Sequence, residues 1–246
     1  MSLLKQNVKK TTFFIREQSK CVYLNKMYKI KKILLWFIEN DEVLLYNVKR
    51  KIYYKERNES EKMKEKFLEL LNSVKREGMD ELIKFLESSD FFTAPASTRF
   101  HGDYEGGLLE HSLKVYELLE EKIRKSELNL EFSEDTIKIV ALLHDICKVN
   151  FYKIDYRNAK NALGVWEKVP YYTIEDTIPY GHGEKSVMML TEYIKLTVEE
   201  KYAIRWHMGF SEPKELYNTL GQAIKKYPLV LLVHEADLEA TYFYNT

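Results

Sequence analysis

The chain has 246 residues, 45% apolar and 31% charged, a globular balance that supports one large core or two smaller ones and argues against disorder along the whole length. Lysine plus arginine and aspartate plus glutamate each total 38, so net charge gives no global reason to expect nucleic-acid or membrane binding. The apolar run Ile33 to Ile38 is far shorter than the roughly 20 residues of a membrane span, no secretory core follows Met1, and Cys21 and Cys147 make no disulfide framework; a cytoplasmic protein without membrane contact is expected.

Charge is unevenly placed. Residues 1–56 hold 13 basic and 5 acidic side chains, a net +8 that the remaining 190 residues balance at −8. Their β-branched and aromatic runs (Thr11 to Ile15, Val22 to Leu24, Val43 to Val48, Ile52 to Tyr54) alternate with lysines and show neither caps nor helical periodicity. A small basic α/β or irregular extension of unassigned role is expected there, with a domain spanning 57–246 after it.

Helical spacing begins at Asn58, with Met63, Phe67, Leu70, Leu71 and Val74 at steps of three and four and Gly78 as a stop. Asp80 opens a second helix, and Thr93 to Thr98 reads as a proline-containing loop. Gly106-Gly107 precedes a helix with Leu108, His111, Val115 and Leu118 on one face. Ser133 caps an apolar helix that runs to His144 and Asp145 and on to Lys148. Residues 151–178 read as a β-hairpin inserted between helices, its tyrosines and tryptophan assigned to core. Thr197 to Glu200 is a capping box for a helix containing Trp206 and His207. Pro213 falls in the first turn of another helix, and Pro228 precedes a last one, Leu229 to Tyr242, with His234 and Asp237. The fold class is therefore mainly α, a helical bundle with one inserted hairpin.

An adjacent His144-Asp145 pair at the polar end of an apolar helix is costly to bury without a partner. A divalent cation resolves that cost, because imidazole and carboxylate suit first-row metals and one carboxylate can bridge two ions. Lys148, at i+4 and i+3 from the pair, can point its ammonium into the same cavity, which suits a phosphate.

These residues resemble the HD-domain superfamily of metal-dependent phosphohydrolases. The likeness runs from Gly106-Gly107-Leu108-Leu109-Glu110-His111-Ser112 through Leu143-His144-Asp145-Ile146-Cys147-Lys148 to Ala236-Asp237, with His182 and His207 between them. Pro95-Ala96-Ser97 and His101 look most like the branch containing 3′ to 5′ exoribonucleases. Cys147 is a departure, since many members carry glycine there.

The resemblance implies one or two divalent ions (manganese, magnesium, iron or zinc). His111, His144, Asp145 and Asp237 would hold the first and His182 and His207 the second. It further implies hydrolysis of a phosphoester by a metal-activated water, with Lys148 stabilising the phosphate. Lys185 either reaches the phosphate or is a solvated lysine; Arg99 and His101 are candidates to orient substrate, His101 alternatively anchoring its loop. His234 is expected to support the site by a hydrogen bond rather than as a ligand. The expected substrate is a phosphorylated small molecule or nucleotide, with RNA or another single-stranded nucleic acid as the alternative. The rival from another class is a non-catalytic metal- or nucleotide-binding module acting as a sensor.

Overall fold

The computed structural model describes residues 42–98, 102–127, 130–161 and 164–244. The chain divides into two compact units, Met1–Glu59 and Ser60–Thr246. Of the basic extension, residues 1–41 lie outside the described residues. The rest is helical: α1 spans Glu42–Asn72 and takes in Val43–Val48 and Ile52–Tyr54, where the sequence suggested strand or irregular structure. The straight-chain residues among them, such as Leu44, Lys49, Arg50 and Lys55, carry high helix propensity. Lys55 and Glu59 pair at 3.8 Å across one turn.

The second unit continues with α2 (Met79–Ser88), α3 (Gly107–Lys125), α4 (Glu134–Leu143), β1 (Tyr152–Lys160), β2 (Trp166–Ile174), α5 (His182–Thr191), α6 (Val198–Arg205), α7 (Tyr217–Lys226) and α8 (Leu229–Glu239). It is mainly α with one inserted hairpin. Helix α4 runs through the middle, with Ile139 to Leu143 all fully buried, and α3 packs against both α4 and α8. Phe67, Leu82 and Leu108 are also removed entirely from solvent, each contributing about 1.5–3 kcal/mol. The two expected caps form: Ser133 accepts from the Thr136 amide, and Thr197 and Glu200 make a reciprocal capping box.

Three helix ends and one helix start differ from the sequence reading. Helix α4 stops at Leu143, and Ile146–Lys148 is a separate 3-10 turn, so Lys148 does not continue the same α-helix. Helix α6 stops at Arg205, placing Trp206 and His207 in the following turn. The last helix ends at Glu239 and passes into a π turn at Ala240–Tyr244; Pro213 precedes a 3-10 turn, α7 starting only at Tyr217. The first two breaks have a common physical sense: the polar residues that follow each apolar helix turn inward together, which a continuing helix would distribute around its axis.

The hairpin pairs antiparallel from Tyr152 with Ile174 to Lys160 with Trp166. Its aromatic residues are largely not core, contrary to the expectation: Tyr156 is 62% and Trp166 66% exposed. A two-stranded sheet has no second layer to bury both faces, so its residues are at most partly covered, chiefly toward the base at Tyr152, Tyr171 and Tyr172. No helix among the described residues is long and apolar enough to cross a membrane.

Arg76, between α1 and α2, closes a bidentate ion pair on the fully buried Glu200 at 2.6 and 3.0 Å, and Thr136 donates to the same carboxylate at 2.8 Å. This ties α4 to α6. Arg76→Met is expected to lower unfolding free energy by about 3 kcal/mol in urea titration, because it strands a buried carboxylate. Arg76→Met with Glu200→Gln should recover a large part of that loss.

Candidate metal centre

The polar residues gathered beside α4 come from five segments. His111 lies one turn into α3; His144 and Asp145 follow α4; His182 is the first residue of α5; His207 sits in the turn after α6; Asp237 is near the end of α8. Two glycines permit this convergence. A Cβ on Gly183 would lie 2.2 Å from the Arg205 carbonyl oxygen, so only glycine lets α5 approach the end of α6 and bring His182 near His207. A Cβ on Gly209, at φ +53°, would lie 2.3 Å from the His234 ring.

The centre is organised by the two oxygens of Asp145. Oδ2 lies 3.7 Å from His111 Nε2 and 3.5 Å from His144 Nε2, while Oδ1 lies 2.8 Å from His182 Nε2 and 3.4 Å from His207 Nε2. Asp237 Oδ1 stands 3.0 Å from His111 Nε2 and 4.0 Å from His144 Nε2. His144 Nδ1 donates to the Ala141 carbonyl at 2.8 Å and His207 Nδ1 to the Ile204 carbonyl at 2.7 Å. A carbonyl can only accept, so in the neutral ring of each the proton is on Nδ1 and Nε2 presents a lone pair to the centre. Among the described residues those two Nε2 atoms are buried without a hydrogen-bond partner.

Lone pairs on imidazole and carboxylate facing one another in the interior repel unless a cation lies between them. The donor set therefore fits a divalent metal. Three overlapping groups can supply it, His111/His144/Asp237, His144/Asp145/His207 and Asp145/Cys147/His182, with the donor atoms of each within 4.8 Å of one another. Burial pushes the His144 imidazole down to about 4, which keeps it neutral and able to ligate. Burial raises the Asp145 carboxyl, but Lys148 foremost and then His144 and the hydrogen bond from His182 outweigh it and hold the group well below its ordinary value. For Asp237 burial acts the same way and His111 outweighs it, so that carboxyl is also held low.

Lys148 Nζ donates to Asp145 Oδ2 at 2.6 Å and, although buried, lines a cavity of 540 Å³ that opens over Asp145, His182 and Asp237. The other wall is apolar: Tyr152 and Ile174 from the base of the hairpin face Leu238 and Tyr242 from the chain end. None of these four was singled out from the sequence; the alternation of the hairpin signalled a face without showing what lay beside it. His234 also lines the cavity and donates from Nδ1 to the His207 carbonyl at 2.8 Å, holding the turn that carries a candidate ligand. Lys185 is placed elsewhere, bonded to Asp176 at 2.7 Å with its ammonium over the Phe151 ring. Arg99 and His101 lie outside the described residues.

Cys147 sits in the 3-10 turn, and the only non-glycine residue with positive φ among those described is Asn150, so the turn accepts a side chain. Its thiol lies 3.2 Å from His182 Nδ1. Burial pushes it up to about 12, which disfavours the thiolate that a nucleophile requires.

A helical bundle that gathers four histidines and two aspartates beneath an open cavity defines a metal-binding class of protein. The model of the HD domain matches residues 108–241, more than half of the chain, and the chain belongs to this family. Comparison with curated proteins and with solved structures finds no match. HD domains bind divalent metals and are in general metal-dependent phosphohydrolases.

Proposed function

We propose that this chain hydrolyses a phosphoester of a nucleotide or of a nucleic-acid end. The observation that carries the reading is the pair of unpartnered Nε2 atoms on His144 and His207, turned toward the two oxygens of Asp145 at the floor of a cavity. Divalent ions held there by His111, His144, Asp145, His182, His207 and Asp237 would supply Lewis acidity and an activated water for attack on a phosphoester. An imidazole-rich set favours iron or zinc over magnesium, and its two carboxylates also suit manganese.

The chain's own residues do the rest. Asp145, held ionised, draws cations and keeps Lys148 charged: burial opposes the ammonium, and the Asp145 carboxylate outweighs it. Lys148 thus presents positive charge at the cavity wall where a phosphate would enter, and its electrostatic contribution grows as substrate excludes water. Tyr152, whose hydroxyl donates to the Ala96 carbonyl at 3.2 Å, is fixed as a flat wall. The cavity's volume suits a nucleotide-sized ligand.

The test is metal analysis of the purified chain together with turnover of phosphomonoesters, cyclic nucleotides and oligonucleotides under added manganese, iron, zinc and magnesium. Failure to bind any of these ions would overturn the reading. Lys148→Gln should lower kcat by about a hundredfold, as for a lost charge-stabilising donor. Its metal content should stay unchanged, since a protonated amine cannot ligate; unaltered kcat would remove Lys148 from the reaction.

A further inference from the structure

The hairpin presents two chemically distinct faces. Directly paired residues in an antiparallel ladder point to the same side. Tyr152, Tyr156, Trp166 and Tyr172 therefore share one face. The hairpin strands' carboxylates, Asp155 and Glu167, fall on the opposite face, whereas Lys160 and Lys168 lie on the aromatic one. That face carries aromatic and basic groups and no acid, and Tyr156, Lys160, Trp166 and Lys168 are all exposed.

This face leads out of the proposed active site. Tyr152 and Ile174 at its base line the 540 Å³ cavity. A second hollow of 920 Å³, lined from this face by Ile154, Pro170 and Tyr172 and from the opposite face by Arg157, Tyr171 and Thr173, shares Thr98 and Ile174 with the first, so the two adjoin. One carboxylate, Asp103, stands on its wall. A mononucleotide is accommodated by the first cavity alone and leaves the hollow and the strands beyond it unused. A strand of nine residues extends roughly 30 Å at the antiparallel rise.

We propose that the aromatic face of the hairpin is a platform for single-stranded nucleic acid, which delivers a strand end to the cavity over Asp145. The inference rests on the phosphoester reading above and narrows its substrate from a free nucleotide to a strand. Bases stack on Tyr156, Tyr172 and Trp166, every base having a π face, and phosphates meet Lys160 and Lys168. The overall neutrality of the chain does not oppose this, because the charge that matters is local to one side of the hairpin.

The experiment is fluorescence anisotropy on the full chain in EDTA, where binding is read without turnover. The probes are labelled oligo-uridine and oligo-thymidine about a dozen nucleotides long. Both or either should bind, the preference naming the sugar. Tyr156→Ala/Trp166→Ala should weaken binding by at least about tenfold, and Lys160→Gln/Lys168→Gln should shrink the salt slope by about 1.4. The charge-matched pair Lys225→Gln/Lys226→Gln on α7 should leave both unchanged. Mononucleotide turnover should be equal in wild type and in both hairpin variants, whose altered residues lie beyond the site cavity.

Oligonucleotide binding that the hairpin variants leave intact overturns the platform. So does the absence of any binding by the wild type, including the case in which the hairpin substitutions change only the oligomeric state and thereby assign the face to a second copy. In each of those results, retained turnover of mononucleotides would leave the phosphoester reading standing. Conversely, hairpin-dependent binding by a chain that hydrolyses nothing would keep the platform and sink the enzyme.

Discussion

Asp145→Ala is expected to bind no divalent metal at micromolar concentrations and to lose turnover by on the order of a thousandfold or more, the loss corresponding to several kcal/mol of transition-state stabilisation by the ion. The reason is positional. Among the described residues Asp145 is the side chain whose oxygens face His111 and His144 on one side and His182 and His207 on the other, so its removal breaks two of the three donor groups and leaves only His111, His144 and Asp237 together. The same substitution also strands Lys148, whose ammonium is buried against Asp145 Oδ2 at 2.6 Å. An unpaired buried charge costs about 3–5 kcal/mol, so Asp145→Ala alone should melt early while keeping helical circular dichroism. Asp145→Ala with Lys148→Met removes both charges and should restore much of the melting temperature without restoring metal or activity. Turnover at the wild-type rate by a folded, metal-free Asp145→Ala/Lys148→Met chain would overturn the assignment of the centre.

The candidate ligands were legible in the sequence because their order along the chain resembles that of the HD family and several of them follow helices whose caps can be read. Ser133 and Thr197 both announce the helices that lead to His144 and His207. The ends of those helices were not legible. Each breaks where buried polar residues must leave the helical path, and nothing in an apolar run such as Val140 to Leu143 marks that point. Long-range pairing was equally hidden: Lys185 is taken by Asp176, and the Arg76–Glu200 pair joins residues 124 apart. The hairpin shows the limit of periodicity most clearly. Alternation of Tyr152, Ile154 and Tyr156 reveals that one face is apolar, yet the same pattern arises whether that face meets a core or open solvent. Helix α1 fails for the opposite reason, since its β-branched residues hid the helix formers between them.

His182→Ala and His207→Ala should each lower bound manganese from two equivalents to one and remove nearly all turnover, while His111→Ala or Asp237→Ala should release the ion on the other side. The geometry separates the two halves: Asp145 Oδ1 faces His182 and His207, whereas Oδ2 and Asp237 face His111 and His144. The rings nevertheless form a continuous row, with centroids 5.3 Å apart from His111 to His144, 4.9 Å from His144 to His207 and 5.1 Å from His207 to His182. Two ions held by these residues would supply Lewis acidity to one phosphoryl group together, which is why losing either should abolish turnover rather than halve it. His182 is the more accessible candidate ligand, its Nδ1 3.2 Å from the Cys147 Sγ, so an ion it held should exchange faster than one beside the fully buried His111 and His144. Plasma emission spectrometry after dialysis against manganese gives the stoichiometry, and competition with a chelator gives the two release rates. One equivalent in the wild type, unchanged by His182→Ala and by His207→Ala, would reduce the centre to His111, His144, Asp145 and Asp237, leaving the two remaining histidines to contact substrate.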